Sequence, residues 1–108
     1  GDGSQTRSFC YVDDLIEGMV RMMNAPDDLI GPVNLGNPTE FTIRELAETV
    51  RDVVGYEGAI EWDTSRPDGT PRKLLDSTRI RTLGWRPEVA LRDGIARAYR
   101  DFLDRPAP

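Results

Sequence analysis

The sequence predicts a small mixed α/β domain of about three short strands and four helices. Short runs rich in β-branched and aromatic residues alternate with longer segments whose apolar residues recur three and four positions apart. Clusters of glycine and proline separate these segments. The predicted strands are Thr6–Val12, Pro32–Gly36 and Ala59–Trp62. Three strands are too few for a complete doubly wound sheet, so their edges would need additional partners.

The first helix is predicted to begin at Asp13 or Asp14, either of which can cap it. It ends near Asn24, two residues before Pro26. One of its faces is apolar and consists of Leu15, Ile16, Met19, Val20 and Met23. We expect the Met22-Met23 pair of this helix to fill the core, which we favour over the alternative of a binding surface.

The second helix begins with a capping box, in which the Thr42 hydroxyl and the Glu45 carboxylate can satisfy free backbone amides reciprocally. Gly55 is a natural stop for this helix. The apolar stripe between these ends consists of Ile43, Leu46, Ala47, Val50 and Val54. The remaining helices are predicted at about Thr78–Leu83 and Leu91–Leu103.

At 108 residues, the chain is one domain or part of one. No apolar run approaches the roughly 20 residues of a membrane helix, and the first residues carry no apolar signal-peptide core. Cys10 is the single cysteine, so no internal disulfide can form and a cytoplasmic location is expected. We expect Cys10 to be a buried core residue rather than a nucleophile, because no histidine exists to activate it.

Acidic side chains outnumber basic ones by 19 to 14, and the net charge is −5. We expect no nucleic-acid partner, because an acidic chain without a basic stripe binds phosphate backbones poorly. One cysteine and no histidine also argue against a structural zinc site. Of the basic residues, 13 are arginines, whose planar guanidinium can pair with phosphate through two hydrogen bonds. Any anion site in this chain would therefore be local and built from a few arginines.

Two features of nicotinamide-dependent reductases are missing from the sequence. No glycine-rich turn connects a strand to a helix, so we predict no cofactor-binding residue in this chain. The second feature is a tyrosine followed four residues later by a lysine that lowers its pKa. Tyr11, Tyr56 and Tyr99 lack that lysine, and we therefore predict no catalytic residue here.

Four basic residues stand at the ends of predicted elements and are candidates for an anion site. Arg7 begins the first strand, Arg66 lies in a loop rich in proline and glycine, and Arg72 and Lys73 close that loop. For any one of them, chemistry alone favours the alternative of a solvated surface charge.

Four segments, in the right order, are similar to motifs of the extended short-chain dehydrogenases/reductases, the NAD-dependent epimerase/dehydratase family. These are Gly1–Asp14, Val33–Gly36, Thr64–Asp76 and Leu83–Pro87. The first half of the chain most resembles UDP-glucuronate decarboxylases and dTDP-glucose 4,6-dehydratases. The second half, and the Thr64–Asp76 segment above all, resembles GDP-L-fucose synthases. Essentially the whole chain is covered by this resemblance.

The resemblance implies that Arg7 and Arg66 contact the diphosphate of a GDP-, UDP- or dTDP-sugar. Lys73 matches a basic position that some members direct at the phosphates, and Arg72 is a weaker candidate. In this family the glycine-rich turn and the catalytic tyrosine and lysine lie upstream. We therefore expect residues 1–108 to be a substrate-binding domain, a C-terminal fragment with a frayed tail at Arg105–Pro108, of a protein that uses NAD or NADP.

The isolated strands and apolar faces lead us to expect a homo-oligomer, or pairing with the missing N-terminal portion. The resemblance leaves the reaction open between an epimerase/reductase and a decarboxylase/dehydratase. A different class remains open as well: a non-catalytic module that binds a nucleotide or a protein partner and reuses the fold. Affinity for free nucleotide diphosphates separates the first class from a pure interaction protein.

Overall fold

Two short strands and four helices make up the computed structural model, which describes residues 1–27, 29 and 31–107. In chain order the elements are β1 (Thr6–Ser8), α1 (Val12–Met23), β2 (Glu40–Thr42), α2 (Ile43–Val54), α3 (Thr78–Thr82) and α4 (Leu91–Asp104). The predicted α/β class and the four predicted helices are confirmed. The sheet formed by the described residues has two strands, where the sequence suggested three.

The two strands form an antiparallel ribbon. Its register pairs Thr6 with Thr42, Arg7 with Phe41 and Ser8 with Glu40. The predicted first strand is shorter than expected, because Val12 already begins α1. β2 was missed, since three residues directly before a capping box are too few to show the alternation that marks a strand.

Two predicted strands, Pro32–Gly36 and Ala59–Trp62, are not strands in the structure. The first segment is held by side-chain hydrogen bonds instead. Ser77 Oγ donates to the Gly36 carbonyl at 2.8 Å, and Asn34 Nδ2 of the segment donates to the Asp76 carbonyl at 3.1 Å. A strand needs a neighbouring backbone to form a ladder. No such ladder forms along either segment within the described residues.

The N-terminus of α2 is bound to the first residues of the chain. Thr42 caps the helix as predicted, since its hydroxyl accepts from the Glu45 amide at 3.0 Å. The next two free amides, of Ile43 and Arg44, donate to carbonyls of the segment that leads into β1, each at 3.0 Å. At the other end Gly55 adopts a left-handed conformation with φ of 74°, which confirms the predicted stop.

Tyr11, rather than Asp13 or Asp14, occupies the N-cap of α1, and it makes no side-chain cap hydrogen bond. The predicted cap is therefore wrong. Asp13 and Asp14 lie in the first turn, where carboxylates interact favourably with the helix dipole. The Asp14 side chain is buried and accepts from the Val89 amide at 3.0 Å, which ties α1 to the segment before α4.

The core is small and centres on Trp85 and Ile80, which are 1% and 0% exposed. The indole Nε1 of Trp85 donates to the Asp14 carbonyl at 2.8 Å. Gly18, one turn further along α1, lies so close to this ring that a Cβ there would stand 3.0 Å from Nε1. The face of α1 that carries Asp14 and Gly18 is thus the face that packs inward.

Most of the apolar face of α1 consequently points outward: Ile16, Met19, Val20 and Met23 are between 45% and 84% exposed, and Leu15 is half-buried. The expectation that Met22 and Met23 fill the core is wrong for Met23, which is 84% exposed, while Met22 is half-buried. The radius of gyration is 16.8 Å, whereas a compact domain of this length has about 13 Å. The chain therefore buries less of its apolar surface than a self-contained domain does.

The other end of the chain is simpler. α4 packs against α2, and Arg105 follows α4 as its C-cap, with its guanidinium 2.7 Å from the Asp101 carboxylate. Pro108, the last residue of the predicted frayed tail, lies outside the described residues. Among the helices that the structure describes, none has the length and apolar character needed to cross a bilayer.

We expect Asp14→Ala to lower the free energy of unfolding by about 1–3 kcal/mol, because the Val89 amide loses its acceptor. Asp14→Asn is the matched control, since it keeps a side-chain carbonyl at the same place. Urea denaturation followed by Trp85 fluorescence measures both. Equal midpoints for the wild-type chain and Asp14→Ala would contradict this account of the core.

Candidate anion-binding site

The loop of residues 64–72 lies directly alongside β1. The Thr6 amide donates to the Pro71 carbonyl at 2.9 Å, and Thr6 forms an isolated parallel bridge with Arg72. In the middle of the loop, Asp68 Oδ1 accepts from the Asp2 amide at 2.8 Å. Two segments more than 60 residues apart in sequence are thus held together by a backbone hydrogen bond at the end of the loop and by a backbone-to-carboxylate hydrogen bond in its middle.

Trp62, just before the loop, packs against the turn that precedes β1. Gly3 is buried with φ of 79°, and a Cβ at this position would lie 2.6 Å from the indole ring. Arg44 also contacts this ring, since its guanidinium lies 4.7 Å from the centroid of the Trp62 ring. The same guanidinium donates to the Asp2 carbonyl at 2.7 Å. The start of the loop is fixed by these contacts.

Arg7 extends from β1 towards the loop. Its Nη1 donates to the carbonyls of Thr6 and Thr70, each at 2.7 Å, and its Nη2 lies 3.3 Å from the position that a Cβ on Gly69 would take. No carboxylate forms an ion pair with Arg7 in the described part of the chain. The guanidinium is therefore oriented by neutral carbonyls and keeps its charge uncompensated.

Arg66 lies in the same loop, four residues before Thr70, and it is exposed. Within residues 1–27, 29 and 31–107, no hydrogen bond or ion pair engages its guanidinium. The turn before it is held by Asp63, whose carboxylate accepts from the Ser65 amide at 3.0 Å and from the Ser65 hydroxyl. Those two hydrogen bonds lower the pKa of Asp63, so that this carboxylate stays ionised.

Arg72 has different surroundings, because it forms a bidentate ion pair with Glu40 of β2. Arg72 Nε lies 2.7 Å from Glu40 Oε1, and Nη2 lies 2.9 Å from Oε2. The hydrogen bond from Arg72 lowers the pKa of Glu40, and the pair raises the pKa of Arg72 in turn. This contact could not be predicted from the sequence, since the two residues lie 32 positions apart and share no motif.

Lys73 lines a cavity of about 220 Å³ that it shares with Ser8, Cys10 and Asn37, and no partner binds its ammonium group within the described residues. Arg72 borders a neighbouring depression that also contains Arg81. The structure thus surrounds Lys73 with other residues than those around Arg7, which lies against Gly69 and Thr70.

Cys10 is half-buried rather than fully buried as expected. Burial, with a smaller contribution from the Asp14 charge, raises the pKa of its thiol. A thiol with a raised pKa is mostly protonated at neutral pH and is therefore a weak nucleophile. The arrangement around β1 and the loop brings together cations of the kind that pair with anions.

Several relatives in sequence are named as nucleotide-sugar enzymes. GDP-L-fucose synthase 1 of Arabidopsis thaliana is 50% identical over 103 residues, which cover 95% of this chain and 32% of that protein. UDP-glucuronic acid decarboxylase 1 of the same plant is 44% identical over 106 residues, covering 97% of this chain and 24% of that protein. The chain therefore spans about a third or less of the length of these relatives.

Solved structures show the same similarity in three dimensions. GDP-mannoheptose C4 reductase from Campylobacter jejuni, with NADP bound, has a TM-score of 0.81 and 32% identity over 95% of this chain and 33% of that one. UDP-glucuronic acid 4-epimerase from Bacillus cereus, in complex with UDP-glucuronic acid and NAD, has a TM-score of 0.78 and 29% identity over 95% and 34%.

The sequence model of one family, described as GDP-mannose 4,6 dehydratase, matches residues 1–98. This match covers every segment on which the predicted relationship rested. The chain belongs to this family, which confirms the predicted membership of the extended short-chain dehydrogenases/reductases.

Proposed function

We propose that this chain binds the diphosphate of a nucleotide sugar, with Arg7 and Arg66 as its main ligands. The observation that carries the proposal is the attachment of the Arg66 loop to β1, next to an Arg7 that has no carboxylate partner in the described residues. Two cations that no acid of the described residues neutralises, one fixed and one exposed, suit a dianionic ligand. The alternative, in which these residues are solvated surface charges without a ligand, does not account for the fixed position of Arg7.

The binding energy of such a site is sufficient for a substrate. Each charge-assisted hydrogen bond from a guanidinium to a phosphate contributes roughly 1.5–3 kcal/mol. Two or three of these bonds hold a sugar nucleotide in place while its sugar end reacts elsewhere. Lys73, which has no partner within the described residues, is the third proposed ligand on the family resemblance, although its surroundings differ from those of Arg7. Arg72 is the weakest of the four candidates, because Glu40 already occupies its guanidinium.

The parent reaction proposed here is that of an NAD(P)-dependent nucleotide-sugar epimerase/reductase, like the GDP-L-fucose synthases. A decarboxylase or dehydratase acting on a UDP- or dTDP-sugar is the second form of the same proposal. GDP-L-fucose synthase 1, at 50% identity, favours guanine as the base. We further propose a cytoplasmic location, in line with the single cysteine.

The residues present do not fit a nicotinamide dinucleotide by themselves. Such a cofactor needs a glycine-rich turn between a strand and a helix, with its pyrophosphate at the helix N-terminus. Here β1 leads into α1 through Phe9, Cys10 and Tyr11, without a glycine. The function proposed for this chain is therefore substrate binding.

The exposed apolar face of α1 supports a second proposal, a protein partner. Side chains of this size and exposure on one helix face favour association with another polypeptide. The partner is either a second copy of the chain or another part of a longer polypeptide. A pure interaction module would use this face and bind no nucleotide.

Calorimetric titration of the chain with GDP, UDP and dTDP should identify one preferred nucleotide. We expect Arg7→Ala and Arg66→Ala each to weaken its affinity about tenfold or more, because each removes one charge-assisted contact. Arg100→Ala, which removes an exposed arginine from α4, is the control and should leave the affinity unchanged. If Arg7→Ala and Arg66→Ala both bind the nucleotide as tightly as the wild-type chain, the assignment of the site is wrong.

Light scattering over a range of protein concentrations tests the α1 face. We expect the mass of the chain to rise with concentration, and Ile16→Glu to reduce this rise, because a buried unpaired carboxylate is unfavourable at an apolar interface. Glu48→Gln, on an exposed part of α2, changes charge elsewhere and serves as the control. A monomer mass that does not depend on concentration would count against self-association.

A further inference from the structure

The ion pair between Arg72 and Glu40 differs from the other ion pairs of the described residues. Those other pairs join residues within a helix, at the end of a helix or between α2 and α4, and their carboxylates are 51% to 62% exposed. The Glu40 side chain is only 25% exposed, whereas that of Arg72, at the end of an irregular loop, is 65% exposed. A bidentate pair with one half-buried partner fixes geometry more firmly than a pair with a single contact does.

Glu40 stands at the point where β1, β2 and the loop meet. Thr6 Oγ1 lies 3.4 Å from Glu40 Oε1 and 3.5 Å from the Pro71 carbonyl, while the Thr6 amide donates to that same carbonyl. Arg7, one residue after Thr6, donates to the carbonyl of Thr70, one residue before Pro71. Glu40 is therefore linked through Arg72 to the part of the loop that orients Arg7.

A carboxylate so near an anion site calls for an explanation. Simple electrostatics predicts that Glu40 repels a diphosphate and that it occupies an arginine which could otherwise bind phosphate. If repulsion dominates, removal of this charge strengthens nucleotide binding. If instead the ion pair holds the loop in place, its removal weakens nucleotide binding. The two accounts differ in sign.

We propose that Glu40 is a positioning residue: through its bidentate bond to Arg72 it holds the loop against β1, so that Arg7 and Arg66 reach one diphosphate together. This inference rests on the proposed function and extends it, since it gives Arg72 the role of a link rather than of a direct ligand. The geometry of the pair carries it, because both Arg72 nitrogens that face Glu40 are already bound.

The test is nucleotide affinity of the 108-residue chain carrying Glu40→Gln, measured with the preferred nucleotide well below the melting temperature of each variant. We expect about a tenfold loss of affinity, corresponding to one weakened charge-assisted contact. Glu17→Gln is the matched control: it removes the carboxylate of an ordinary pair between Glu17 and Arg21 on α1 and should bind like wild type. Glu40→Gln binding as tightly as wild type, or more tightly, would overturn the proposal.

Arg72→Gln and the double variant Glu40→Gln/Arg72→Gln separate a link from a ligand. A link predicts that the double variant loses no more affinity than either single variant, because both break the same bond. A further loss on replacing Arg72 in the Glu40→Gln background would identify Arg72 as a direct ligand and contradict the proposal. A purely structural role would lower the melting temperature of these variants and leave the affinity of the folded chain unchanged, which also contradicts it.

Hydrogen exchange of the Thr6 amide gives a readout that needs no nucleotide. This amide donates to the Pro71 carbonyl, so a loosened loop exposes it to solvent. We expect faster exchange in Glu40→Gln and unchanged exchange in Glu17→Gln; equal rates in all three proteins would overturn the positioning role. If the wild-type chain binds none of the nucleotides, the proposed function fails, whereas wild-type binding with an unaffected Glu40→Gln defeats only this extension.

Discussion

The hydrogen bonds between β1 and the loop of residues 64–72 are the constraint on which the site depends. The Thr6 amide, the Arg7 guanidinium and the Asp2 amide all bind this loop, and each bond spans more than 60 residues. Closing so long a connection has an entropic cost, so several bonds must act together to keep the loop in place. Without them Arg66 would belong to a free loop and Arg7 to the edge of a two-stranded ribbon.

The small size of the sheet explains why the chain is less compact than a self-contained domain. A two-stranded ribbon is barely stable by itself and gains its stability from helices packed against it. Here α2 begins directly at β2 and uses carbonyls from the segment before β1 to satisfy its first amides. The buried core lies elsewhere, around Trp85 and Ile80, and α1 contributes its polar face to that core. Most of the apolar face of α1 is left exposed.

Local patterns predicted what depends on neighbours in sequence. Four helices, the cap at Thr42 and the stop at Gly55 follow from spacing and capping chemistry. Which face of α1 packs inward could not be predicted, because a buried carboxylate at Asp14 with a backbone partner at Val89 overrides the apolar stripe. The pairing of Glu40 with Arg72 was equally invisible, since a single ion pair across 32 residues leaves no periodic trace.

The family relationship indicates four cations as candidate phosphate ligands, and the structure adds how each of them is held. Arg7 is fixed by carbonyls, Arg72 by Glu40, and Arg66 and Lys73 carry no partner within the described residues. The most direct measurement is a crystal structure of this chain with the preferred nucleotide diphosphate bound. Our account predicts guanidinium nitrogens of both Arg7 and Arg66 about 3 Å from phosphate oxygens of one diphosphate. A diphosphate bound elsewhere, or held by only one of these arginines, would contradict it.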